Sequence, residues 1–237
     1  MDLKVVDSII NNAQNEGRDH LFETEAKTLI SQWDIPVPGS VLVKGSEFPD
    51  ISVDSIEPPF ILKVVSRNIL HKTEVGGVIS DLGDMDDVRN AIIRMKKDIE
   101  KNAPQARIEG FLLEEFVPVG VEVIIGGTRD PQFGPVMMFG TGGVMVELMK
   151  DVSFRLAPLD KSESMAMMED LRGYPLLTGY RGSKPVDREQ LASVIMKVSD
   201  IITKIKEIRE IEINPLFAYE DGVMAVDARV ILELEER

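Results

Sequence analysis

Apolar positions at helical spacing open the chain. The pattern predicts helices over 3–15 and 22–32, and in the second Phe22, Ala26, Leu29 and Ile30 share one face. Trp33-Asp34-Ile35-Pro36-Val37-Pro38-Gly39 stops that helix, because proline has no amide to donate and pushes its predecessor toward extended backbone. Strands are expected at 40–44, within the strongly apolar stretch 58–66, and at 76–80. The stretch 84–101 reads as a helix with acids at its start and Lys96, Lys97 and Lys101 near its end, which matches the helix dipole. Strands recur at 108–115, 121–127 and 135–139, and helices at 162–171 and 187–206 follow. Two strands close the chain, 210–217 and 223–229, with a turn at Tyr219-Glu220-Asp221-Gly222. Helices alternate with strands, yet several strands neighbour one another across a turn. That predicts an α/β or α+β fold with mixed sheets rather than a Rossmann series. Neither a Gly-x-Gly-x-x-Gly fingerprint nor a Walker-type lysine loop is present. A division between two lobes is expected near Phe116-Val117-Pro118-Val119-Gly120.

The composition narrows the partners. With a net charge of -14 the chain lacks the basic stripe a nucleic-acid surface needs, and docking on an anionic membrane is disfavoured. An anionic ligand then requires locally placed cations or an accompanying metal. There is no cysteine, so disulfides, thiolate metal sites and a cysteine nucleophile are excluded. The N-terminus has neither a basic nor an apolar leader region, and no apolar run is long enough to span a bilayer. A cytoplasmic protein is expected, with 237 residues enough for one large domain or two lobes.

The closing strands carry the strongest chemical signal. In Glu210-Ile211-Glu212-Ile213-Asn214-Pro215-Leu216-Phe217, alternation puts Glu212 and Asn214 on one face and Ile211 and Ile213 on the other. A hairpin partner brings Asp227 beside them, inside the otherwise apolar run Met224-Ala225-Val226-Asp227-Ala228, where an unpaired charge is costly. Two carboxylates and an amide oxygen form a hard, all-oxygen ligand set of the kind magnesium prefers.

Other segments offer weaker signals, each with an ordinary structural alternative. Lys63 sits in the apolar strand Phe60-Ile61-Leu62-Lys63-Val64-Val65, either snorkelling to water or held rigidly toward a phosphate. Phe111-Leu112-Leu113-Glu114-Glu115-Phe116-Val117 turns polar at the expected lobe boundary. Such a stretch suits the edge and faces of a nucleotide base, or is simply a strand end with two solvated acids. Glu122, among β-branched neighbours, either meets a ribose or faces water. Gly140-Thr141-Gly142-Gly143 permits close backbone approach to an oxyanion, and equally a tight turn. Arg181, in Thr178-Gly179-Tyr180-Arg181-Gly182-Ser183-Lys184, reaches a phosphate or only solvent. Of the two histidines, His20 is assigned an ordinary role. His71 follows the Lys63 strand in His71-Lys72-Thr73-Glu74-Val75-Gly76-Gly77, and a neutral imidazole there is a candidate nucleophile.

In this order the motifs resemble an ATP-grasp domain, with Lys63, then Glu114 to Val117 and Glu122, then Glu212, Asn214 and Asp227. They resemble more closely the β subunits of ADP-forming acetyl-CoA synthetases, relatives of succinyl-CoA synthetase, from about Phe22 onward. The resemblance implies two lobes clasping a nucleotide, a lid-side subdomain at 22–115 and a second subdomain of 1–21 with 116–237. It implies magnesium on Asn214, Asp227 and Glu212. ADP or ATP would be held by Lys63, Glu114, Glu115, Phe116, Val117, Glu122, Gly142, Gly143 and Arg181, with His71 as phosphoryl carrier. It also implies a separate α subunit bearing the coenzyme A and acyl-phosphate chemistry, in an α2β2 assembly. Two competitors are a free-standing ATP-grasp carboxylate ligase, which needs no phosphohistidine, and a non-catalytic nucleotide-binding regulatory module.

Overall fold

The structure is a computed structural model of the chain, and it describes residues 2–44, 53, 55–69, 72–143 and 149–233. The contacts divide the chain into two compact units, one of residues 1–37 with 119–237 and one of residues 38–118.

The smaller unit is built on β1 (Ser40–Val43), β2 (Phe60–Ser66), β3 (Val78–Leu82) and β4 (Ile108–Glu115), ordered β1-β4-β2-β3, with helix α3 (Met85–Asn102) as its one long helix among the described residues. Alternation decides the faces. Phe60, Leu62, Val64, Phe111 and Leu113 pack with Val88, Ile92, Met95 and Ile99 of the helix. Lys63 and Glu114 therefore occupy the sheet face turned away from α3. The helix starts where Asp84 accepts from the Asp86 and Asp87 amides at 2.9 Å each, and Lys101 sits in its last turn. A single helical turn of the 3-10 type, Thr73–Val75, precedes β3 and lies outside the predicted elements.

The larger unit carries a sheet ordered β10-β8-β5-β6-β7, from β5 (Val121–Asp130), β6 (Gly134–Thr141), β7 (Val152–Leu156), β8 (Ile208–Tyr219) and β10 (Ala228–Leu232), while β9 (Gly222–Ala225) pairs with β8. One face is covered by α1 (Leu3–Asn15), α2 (Glu23–Ser31), α4 (Lys161–Glu169) and α6 (Arg188–Lys204), and the short α5 (Tyr174–Thr178) joins the last two. Val123, Ile125, Phe139, Ile211, Ile213 and Val230 point into this core with Leu191, Ile195 and Ile202 of α6. Every strand pairing among the described residues is antiparallel, so the mixture lies in the alternation of helices and strands, not in strand direction.

Three expectations need correction. Residues 22–37 belong with the larger unit, not with 38–115. The α2 face of Ala26, Leu29 and Ile30, followed by Trp33 and Ile35, is part of the larger core. The segment 223–229 pairs with β8 in one register as expected, but it is interrupted at Val226 and Asp227, between β9 ending at Ala225 and β10 beginning at Ala228. Strand β7 and helix α5 are additional elements. In β7, Phe154 and Leu156 are exposed, so the strand shows no buried stripe; α5 is one turn opening on Tyr174-Pro175.

Candidate nucleotide and metal site

The last three strands assemble the acidic cluster. Register places Arg229 of β10 opposite Glu212 of β8, and Ala228 opposite Ile213. Glu210, Glu212 and Asn214 thus line the face away from the helices, since Ile211 and Ile213 are fully buried on the other. Asp227, between β9 and β10, lies across from Asn214 in the same register, and its carbonyl accepts the Asn214 amide at 3.1 Å. The Asn214 Nδ2 donates to Glu212 Oε1 at 3.3 Å, and the Arg229 guanidinium donates to Glu212 Oε2 at 3.2 Å and Glu210 Oε1 at 2.5 Å. Glu212, Asn214 and Asp227 are therefore neighbours. Among the described residues no three histidine, aspartate or glutamate side chains cluster as a metal cage. The set instead combines carboxylates with one amide oxygen, which fits magnesium, an ion that keeps waters and phosphate oxygens in its shell.

On the same sheet face, one strand further in, the glycine-rich segment wraps Glu122. The Gly142 amide donates to the Glu122 carbonyl at 2.8 Å. Gly143 has φ +66°, and a Cβ there would stand 2.5 Å from Glu122 Oε2; a Cβ on Gly142 would meet Glu122 and Val123 backbone at 2.9–3.0 Å. Only glycine permits this approach.

Asp151, 8% exposed, anchors that segment and was not foreseen from the sequence. Its carboxylate accepts the Arg172 and Gly173 amides at 2.8 Å each and the Thr141 hydroxyl at 3.4 Å. A side chain on Gly173 would collide with Thr141 Cγ2 at 2.3 Å. The signal available in sequence was a lone acid following Met149-Lys150, which does not reveal amides that lie 21 and 22 residues further along, beyond β7 and α4.

Within the smaller unit, Lys63 and Glu114 form a buried pair, Nζ to Oε2 2.8 Å, with 7% and 2% of their side chains exposed. Ile61 is opposite Glu114 and Lys63 opposite Leu112, so the pair is the diagonal one across antiparallel strands. The lysine is thus neither snorkelling nor a lone charge. Glu115 accepts the Glu57 amide at 3.2 Å and lies against Gly39. Its own amide donates to Gly39, and that of Phe116 to Pro59, at 3.0 and 2.8 Å. The amides of Glu115 and Phe116, among the backbone groups expected to meet a base, are therefore engaged within the unit itself. Arg181 is exposed, at φ 52°, with its guanidinium 5.4 Å from the Tyr180 ring. His71 lies outside the described residues.

Comparisons with known proteins identify the family. The ATP-grasp domain model matches residues 12–232. The chain is 42% identical to the β subunit of acetate–CoA ligase (ADP-forming) I of Pyrococcus furiosus, over 94% of the chain and 96% of that protein. It is also 42% identical to acetate–CoA ligase (ADP-forming) I of Archaeoglobus fulgidus, over 76% of the chain but only 26% of that longer protein. Among solved structures, the dinucleotide-forming acetyl-coenzyme A synthetase 1 of Ca. Korarchaeum cryptofilum matches with a TM-score of 0.83 and 41% identity, over 95% of this chain and 99% of that one. That structure is a complex with coenzyme A and Mg-AMPPCP, its phosphohistidine segment pointing towards the nucleotide binding site. The chain belongs to the ATP-grasp family and, within it, to the group of ADP-forming acyl-CoA synthetase β subunits.

Proposed function

We propose that this chain is the nucleotide-side β subunit of an ADP-forming acyl-CoA synthetase, passing a phosphoryl group through His71 to ADP. An α partner supplies the acyl-CoA and acyl-phosphate steps, in an α2β2 assembly. The observation that carries the reading is the end-to-end match with the Pyrococcus β subunit, which leaves almost no residue of either chain unmatched.

Asn214 and Asp227, with Glu212 beside them, would hold magnesium. Bound there, the ion offsets the charge of the terminal phosphates. Lys63, oriented by Glu114, adds a cation on a rigid strand. Val117 takes the edge of the base, Glu122 the ribose, and Gly142 and Gly143 offer amides to the transferred group, with Arg181 as a further cation. In the transfer, the N–P bond on the His71 ring breaks as a P–O bond forms to a β-phosphate oxygen of ADP. The ring nitrogen keeps the electron pair and returns to neutral imidazole. The reverse reaction loads His71 from ATP.

The test is peptide mass spectrometry after incubation with magnesium and ATP, with and without the α partner, under non-acidic conditions. A phosphoryl group on His71, lost in His71→Ala, is the expected result. Coenzyme-A-dependent turnover with no histidine adduct would overturn the relay.

A further inference from the structure

We infer that Arg229 is a positioning residue for the metal set. It holds Glu212 as an orienting carboxylate, outside the cation's own ligands, so that the Asn214 side-chain oxygen is the one presented to the metal. The inference rests on the proposed function and assigns a division of labour within that site.

The argument starts from hydrogen-bond chemistry. A side-chain amide donates through nitrogen and accepts through oxygen. Asn214 spends its Nδ2 on Glu212 Oε1 at 3.3 Å, so its Oδ1 is turned the other way. Flipping the amide would set two acceptors, Oδ1 and Oε1, against each other. The orientation that leaves an oxygen for a hard cation is therefore the one Glu212 enforces. The second Glu212 oxygen is taken as well, by the guanidinium of Arg229 at 3.2 Å. With both oxygens held by protein donors, Glu212 acts on the metal through Asn214.

Arg229 is placed for this by register, directly across the strand from Glu212. The same nitrogen also reaches Glu210. Two carboxylates on one face of β8, one residue apart along that face, would otherwise repel and splay. One nitrogen of the guanidinium bridges the two carboxylates and offsets their repulsion. Outer-shell partners of this kind tune metal affinity by roughly 10–100-fold.

The experiment measures Mn2+ binding by electron paramagnetic resonance in the presence of ADP, and ADP binding in EDTA, on the full chain. Arg229→Gln should weaken Mn2+ binding about tenfold, leave ADP affinity in EDTA unchanged, and be partly rescued by Arg229→Lys. Glu212→Gln keeps an acceptor for Asn214 and should retain most of the Mn2+ affinity, while Asp227→Asn should lose it. If Arg229→Gln fails to fold, the comparison of Glu212→Gln with Asp227→Asn still decides. Mn2+ binding unaltered in Arg229→Gln, or lost as fully in Glu212→Gln as in Asp227→Asn, would overturn the inference alone. A wild-type chain whose ADP binding is indifferent to metal would overturn the proposed metal site and this inference together.

Discussion

Glu122 and Gly143 are in contact only because residue 143 has no side chain. A Cβ there would lie 2.5 Å from Glu122 Oε2, and the backbone at 143 has φ +66°. Gly143→Ala must therefore either displace the Glu122 carboxylate or leave the left-handed region, which costs an L residue about 1–2 kcal/mol. Isothermal titration should show ADP affinity falling by about tenfold, which corresponds to about 1.4 kcal/mol. Retained affinity would remove Glu122 and Gly143 from the nucleotide site.

The Lys63–Glu114 pair separates stability from function. Deleting one partner, as in Lys63→Met, leaves a buried uncompensated carboxylate and should cost about 3–5 kcal/mol in urea unfolding. Lys63→Met with Glu114→Leu should recover much of that loss, because apolar replacement of a whole buried pair is often neutral. Nucleotide binding should stay impaired in the double variant. Recovery of both would make the pair purely structural.

Trp33 gives an intrinsic optical probe, since it is the chain's one tryptophan. Its Nε1 donates to Asp200 Oδ2 at 2.8 Å, and Lys204 reaches the same oxygen at 2.8 Å. Burial raises the Asp200 pKa, but the bonds from Lys204 and Trp33 outweigh it and hold the carboxyl below its ordinary range. A lowered folded-state pKa means the contribution is complete above the unfolded carboxylate pKa and is lost as pH falls through the lowered value. Trp33 fluorescence should thus stay constant through neutral and mildly acidic pH and change only below the usual carboxylate range. Asp200→Asn should abolish that acid transition; its persistence would assign it elsewhere.

Much of this was legible in sequence, and the failures have physical causes. Helix α3 was readable from its dipole-matched charges, and the Asp84 cap and buried stripe of the structure agree with them. The Glu212–Asn214 spacing was readable because a strand alternates strictly. Asp227 was placed near them correctly but in the wrong local structure. A run such as Met224-Ala225-Val226 looks the same whether a strand continues or is interrupted, and only pairing shows that Val226 and Asp227 interrupt the ladder while its register along β8 carries on. Arg229, Glu114 as the partner of Lys63, and Asp151 depend on cross-strand register or on amides distant in sequence. No local window contains that information.

The smaller unit leaves the chain's path where it entered. Ser40 pairs with Glu114, and the Glu115 amide closes on Gly39, so the two ends of residues 38–118 stand side by side. A segment with adjoining ends behaves as a cassette. Joining 37 to 119 through a short linker closes little extra loop and carries a small entropic cost, and the excised segment begins and ends on its own paired strands. The stretch that carries Lys63 and Glu114 and the remainder that carries Glu212, Asn214 and Asp227 can thereby be produced as separate polypeptides and studied one at a time.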